Sequence, residues 1–121
     1  MAKRTAIIDI GSNSARMVVF ERTSRYGFYL LNETRSRVRI GEGACEKGGE
    51  LQPEAMERAF CALSQFLDIA KSYKARKILC VATSAVRDAP NRKVFLHRVE
   101  RELGLRIKII DGKKEAWLGG I

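Results

Sequence analysis

Apolar and polar positions alternate from the first residues onward. Thr5 to Ile10 (TAIIDI) is a short β-branched run, the turn-prone Gly11-Ser12-Asn13-Ser14 follows, and Arg16 to Glu21 (RMVVFE) forms a second run. Two such runs around a short polar turn predict a hairpin. Tyr26 to Thr34 predicts a third strand, and the alternation of Val38 and Ile40 with Arg35, Arg37 and Arg39 extends that expectation to Ile40. Strands joined by tight turns must run antiparallel. After the glycine-rich, charged loop Gly41 to Gly49, Pro53 stands where a first helical residue belongs. Met56, Ala59, Phe60, Leu63, Phe66, Leu67 and Ala70 then recur at three- and four-residue steps, predicting a helix of about five turns over one sheet face.

The nearly continuous apolar run Lys77 to Ala82 (KILCVA) predicts a strand buried on both faces and parallel to a neighbour. A second helix is expected from its cap Asn91 to Leu103, stopped by Gly104. Leu105 to Ile110 reads as a fifth strand, and Asp111 as the cap of a last helix containing Glu115, Trp117 and Leu118. The order βββαβαβα, without repeat or linker, predicts a mixed α/β sheet.

The chain has 121 residues, 45% hydrophobic and 31% charged, with two Pro, which fits one ordinary globular core and excludes a disordered or fibrous chain. No apolar run approaches the ~20 residues of a membrane span, and the N-terminus lacks a secretory pattern, so a cytoplasmic protein without membrane association is expected. Cys45, Cys61 and Cys80 are too few and too widely spaced for a disulfide framework or a zinc site. His97 is the only histidine, which removes mechanisms needing a histidine pair. Chemistry here must rest on carboxylates and phosphate-binding groups.

The net charge of +9 is uneven: +3 over residues 1 to 50, −2 over 51 to 70 and +8 over 71 to 121. Such an excess suits an acidic partner or a solvated surface equally. Single-stranded nucleic acid is the less favoured partner, because residues 71 to 121 offer only Tyr73, Phe95 and Trp117 for stacking. Neither a P-loop nor a GxGxxG fingerprint is present.

Ile7 to Val19 (IIDIGSNSARMVV) is the most informative stretch. An Asp closes an apolar strand, and the following turn can aim backbone N–H groups and hydroxyls at one anion while Asp9 orients a hydrated divalent cation. An ordinary hairpin, whose Gly11 and Asn13 tolerate positive φ, fits the spacing equally well.

This stretch resembles the first phosphate loop of the acetate and sugar kinase, Hsp70 and actin superfamily, and more narrowly of the exopolyphosphatase and guanosine pentaphosphate phosphatase family. Three further segments resemble that family in order: Arg39-Ile40-Gly41-Glu42-Gly43; Val81-Ala82-Thr83-Ser84-Ala85-Val86-Arg87 with Asn91; and Gly112-Lys113-Lys114-Glu115-Ala116. The resemblance implies an RNase-H-like (actin-like ATPase) α/β lobe, with residues 1–121 as the N-terminal lobe of a two-lobed catalytic domain. It implies a phosphohydrolase releasing terminal phosphate from inorganic polyphosphate or guanosine pentaphosphate, with Mg²⁺. Gly11, Ser12, Asn13 and Ser14 match the phosphate loop, Asp9 the metal-placing acid, Arg16 a basic contact present in some members, Arg87 an arginine holding the phosphate chain, and Glu115 the catalytic glutamate. Taken alone, Glu115 is also a first-turn carboxylate suited to a helix N-terminus, and Arg87 a surface arginine.

Two departures stand out. Lys113 and Lys114 occupy positions where relatives often carry acids, which strengthens polyanion attraction and leaves the choice between polyphosphate and the nucleotide open. The family's second phosphate loop, Asp-x-Gly-Gly-Gly-Ser-x-Glu, has no counterpart up to Ile121, so this lobe alone is expected to turn over little or nothing. A kinase or ATPase of the same superfamily and a non-catalytic polyanion- or nucleic-acid-binding module are the rival readings. The oligomeric state stays open, a homodimer included.

Overall fold

In a computed structural model, residues 3–23, 27–43 and 48–110 are described. Five strands form one sheet in the order β3-β2-β1-β4-β5. Strands β1 (Lys3–Ile10), β2 (Ala15–Arg22) and β3 (Phe28–Ser36) pair antiparallel, with a register shift at Val19/Phe20. Strand β4 (Lys77–Ala82) lies parallel to β1, and β5 (Ile107–Ile109) parallel to β4. The mixed α/β sheet expected from the alternation is therefore present. The helix expected after Asp111 lies outside the described residues.

Helix α1 (Pro53–Ser72) runs five and a half turns at 3.6 residues each. Pro53 sits at its start, where no N–H is lost, with Glu54 in the first turn and Lys71 in the last, each favourable to the helix dipole. It buries Ala59, Leu63, Phe66 and Ala70. Helix α2 (Ser84–Arg87) is a single turn. Helix α3 (Arg92–Leu103) buries Phe95 and Val99 and ends at Gly104, whose φ of 67° lets its N–H return to the Glu100 carbonyl.

Both long helices contribute to one core with Ala6, Ile8, Ile10, Met17, Val19, Cys80 and Ala82. The connections explain why. From β1 to β4 to β5 the chain moves across the sheet in one direction, and right-handed crossovers taken in one direction place their helices on one face. This corrects the expectation that β4 is buried on both faces. Cys80 and Ala82 are buried, but Leu79, pointing the other way, is 42% exposed.

Two other expectations change for local reasons. The third strand stops at Ser36, and Arg39 adopts φ 47°, its N–H donating to the Asn13 carbonyl (2.8 Å) instead of to a sheet neighbour. Val38 and Ile40 still enter the core, as pegs of a turn. Asn91 precedes α3 but makes no side-chain cap; its amide instead bonds both the N–H and the carbonyl of Leu51, each at 2.9 Å. An amide that satisfies two backbone groups of a distant segment is not available to its own helix.

Candidate functional site

The carboxyl ends of parallel strands are where ligands bind in open α/β sheets, and the sequence motifs gather at that end. The turn Gly11–Ser14 leaves β1 there. Gly11 N–H donates to the Ser14 carbonyl (3.0 Å), closing a tip of Ser12 and Asn13. Neither Gly11 nor Asn13 has positive φ, and β1 and β2 pair antiparallel across this turn as the hairpin expectation had it. Ser12 and Asn13 are exposed, and the N–H groups of Ser12, Asn13 and Ser14 make no hydrogen bond to a described residue. Successive amide donors in a turn are groups of the kind that can meet an anion.

The turn after β3 backs this tip. Besides the Arg39–Asn13 bond, Gly41 N–H donates to the Ser12 carbonyl (3.3 Å). A Cβ placed at Gly41 would lie 3.5 Å from Ala85 Cβ and 3.8 Å from Ser12 Cβ. Three segments far apart in sequence thus touch at Gly41. Ser12, Asn13, Arg39, Gly41 and Glu42 line a cavity of about 350 Å³. A larger groove of about 470 Å³, bordered by Arg37, Glu57 and Cys61 beside α1, contains none of the phosphate-loop residues.

The α2 turn carries Arg87, whose Nε and Asp88 Oδ1 are 3.1 Å apart and whose Nη1 donates to the Ile110 carbonyl (3.5 Å). Thr83 N–H bonds the Ile10 carbonyl (3.3 Å) and Ile110 N–H the Ala82 carbonyl (3.1 Å), which draws the ends of β1, β4 and β5 level. Asp9 and Arg16 face each other in register across β1 and β2, both exposed on the face opposite α1 and α3; Arg16 also approaches Glu33 at 3.7 Å. The cavity therefore unites Ser12 and Asn13 with the Arg39–Glu42 turn, while Gly11, Ser14, Asp9, Arg16 and Arg87 do not line it. Glu115 and Cys45 lie outside the described residues. Cys80 is buried with its thiol pushed up to about 12 by burial and by the Asp9 charge, which makes it an inert core thiol. His97 is exposed. Among the described residues no three His, Cys, Asp or Glu side chains form a group able to hold a metal, and no helix is long and apolar enough to cross a membrane.

The profile of the Ppx/GppA phosphatase family matches residues 17–121. The chain belongs to that family. Exopolyphosphatase 1 of Mycobacterium bovis is 28% identical over 115 residues, covering 95% of this chain and 33% of the relative. The guanosine-5'-triphosphate,3'-diphosphate pyrophosphatase of Photobacterium profundum is 32% identical over 111 residues, covering 92% of this chain and 22% of the relative. A crystal structure of an exopolyphosphatase from Cytophaga hutchinsonii superposes with a TM-score of 0.90 at 30% identity, covering 96% of this chain and 36% of that one. This Ppx/GppA chain thus spans a third or less of the length of the two named curated relatives. The RNase-H-like, actin-like fold expected from the resemblance is borne out. In sequence Arg39 and Glu42 belong to a segment resembling the family; the folded turn puts them on the cavity wall.

Proposed function

We propose that this chain is the first, phosphate-gripping lobe of a phosphohydrolase that releases terminal phosphate from inorganic polyphosphate or guanosine pentaphosphate. The observation that carries the reading is the meeting at Gly41 of three family segments, with a cavity walled by the exposed amide tip of the first of them. The tip amides and hydroxyls hold the terminal phosphate, Arg87 and Arg16 hold neighbouring charge, and Glu115 orients and deprotonates water. Water oxygen attacks the terminal phosphorus, the bridging P–O bond breaks toward the shortened chain, and the water proton passes to the Glu115 carboxylate. Preorganised N–H donors and guanidinium groups stabilise the charge that develops on the transferring oxygens.

Asp9 is the residue that would hold Mg²⁺. An exposed single carboxylate at a strand end suits this ion, which keeps most of its waters and completes its shell with substrate phosphates. Bound there, the ion would neutralise phosphate charge. The cytoplasm is the compartment this reading favours.

Binding tests the reading. Tripolyphosphate, single-stranded DNA and RNA are titrated calorimetrically into the chain at several salt concentrations. Preferential tripolyphosphate binding is expected, with Ser12→Asp weakening it about tenfold or more through like-charge repulsion. Glu115→Gln is expected to leave this binding intact while removing phosphate release wherever release is measurable. Equal affinity for the three polyanions, with equal salt slopes and indifference to Ser12→Asp, would instead establish a general polyanion-binding module, the reading that the +8 of residues 71 to 121 supports.

A further inference from the structure

One residue on the cavity wall is held in a backbone conformation its type avoids. Arg39 has φ 47°, a region that glycine enters freely and a side chain only under strain. The turn is fixed from every side. Arg39 N–H bonds the Asn13 carbonyl (2.8 Å), Glu42 N–H bonds the Arg39 carbonyl (2.9 Å), and Arg58 donates from Nε to the Val38 carbonyl (2.9 Å) and from Nη2 to the Arg39 carbonyl (3.3 Å). Glycine would make this turn without strain, so the turn alone does not account for an arginine here. What the arginine adds is a guanidinium paired with Glu42, both residues lining the cavity along with Ser12 and Asn13.

That guanidinium has a resting partner. Arg39 Nη1 lies 3.3 Å from Glu42 Oε2, while Arg58 Nη2 holds the other oxygen, Oε1, at 3.0 Å. The Arg39 and Glu42 side chains are half exposed, and such pairs are weak and readily exchanged. Glu42 would remain paired with Arg58 if Arg39 turned to another anion. A phosphate offers Arg39 more negative charge and a geometry that accepts two parallel N–H bonds.

We propose that Arg39 is a phosphate-binding residue of this cavity and that Glu42 is its built-in competitor, occupying the guanidinium until a polyphosphorylated ligand displaces it. The inference rests on the cavity being the phosphate site proposed above. It predicts effects of opposite sign from neighbouring residues: removing Arg39 weakens binding, whereas neutralising Glu42 strengthens it.

The test titrates tripolyphosphate into the chain and four variants at one ionic strength, with thermal unfolding followed in parallel. Arg39→Gly removes the side chain and relieves the strained φ together, so it is expected to unfold no earlier than the parent while binding about tenfold more weakly. Glu42→Gln is expected to bind about threefold more tightly, because competition for the guanidinium is gone. Arg39→Lys, which keeps the charge but not the fork, is expected to fall between Arg39→Gly and the parent. Arg101→Gly, removing an equal charge from the far end of α3, is expected to change affinity less than twofold. Parent-like affinity in Arg39→Gly overturns the inference, as does an equal loss in Arg101→Gly or weaker binding in Glu42→Gln. If Ser12→Asp abolishes binding while these variants leave it unchanged, only the role of Arg39 and Glu42 falls. If the parent binds no tripolyphosphate, the phosphate site itself falls and this inference with it.

Discussion

The two faces of the sheet are made from the same strands and do different work. On one, Ala6, Ile8, Ile10, Met17 and Val19 are 0 to 1% exposed beneath α1 and α3. On the other, the interleaved residues include Asp9, Arg16 and Glu33 together with Phe28, Leu30 and Leu79, which are 65%, 64% and 42% exposed. Side chains of adjacent strand residues point to opposite faces, so a single residue step separates the two environments. The covered face fixes where β1 and β4 end, and hence where the amide tip and α2 meet. The opposite face carries Asp9 and Arg16, both exposed, to the same end without the desolvation that a core position would impose on their charges.

Ile7 and Ile8 offer the sharpest way to break this comparison. Ile8 is fully buried, whereas Ile7 points to the face opposite α1 and α3 and is only partly covered. Ile8→Ala is expected to cost about 2–5 kcal/mol, from lost transfer free energy and a cavity that the packed helices cannot fill. Ile7→Ala is expected to cost about 1 kcal/mol, since its surroundings can relax toward solvent. Urea unfolding of both variants checks the pair through the shift in midpoint at unchanged slope. Equal losses would mean that the second face is as closely packed as the first.

How far these faces could be read in advance depended on whether the cause was local. The alternation in β1 and β2, and the three- and four-residue spacing in α1, are properties of one element and its period, and the folded chain has them. The exposure of Leu79 is not local. An apolar run records that a strand is apolar, whereas the direction in which the chain crosses the sheet decides which faces receive helices. Arg39 was equally hidden, because its positive φ is imposed by bonds to Asn13 and Arg58, and arginine carries no turn signature. The turn from Gly11 to Ser14 was legible, since such residues favour turns. Its closeness to Gly41 and Ala85 was not, because 29 and 73 positions of chain separate them from Ser12. The family resemblance gave those segments only in their order along the chain.

Asn91 tests the closure of the covered face at its rim. Its side chain joins the start of α3 to Leu51, which is 2% exposed, through paired 2.9 Å bonds. Asn91→Ala would leave a backbone N–H and carbonyl beside the core without those partners, a loss expected to cost about 1–3 kcal/mol. Asn91→Asp separates this account from a capping role. A carboxylate would serve the α3 N-terminus at least as well as the amide, but it cannot donate to the Leu51 carbonyl. Both substitutions are therefore expected to lower the unfolding midpoint. If Asn91→Asp were neutral or stabilising, the residue would be acting as a cap.

The smallest expected effect belongs to Leu79 and bears most directly on the face opposite α1 and α3. Leu79 lies between the buried Cys80 and the half-buried Ile78 along β4, yet its own side chain is 42% exposed. Leu79→Thr removes apolar area that water already reaches in part and installs a β-branched residue well suited to a strand, so the two changes oppose each other. The stability of this chain is expected to move by about 1 kcal/mol or less, since full burial of a leucine is worth only about 1.5–3 kcal/mol. The same substitution at a core-facing strand position would bury a hydroxyl and leave a cavity, with a several-fold larger loss. A loss above about 2 kcal/mol for Leu79→Thr, read by denaturant unfolding of this chain, would place the residue in a packed interior and undo the distinction between the faces.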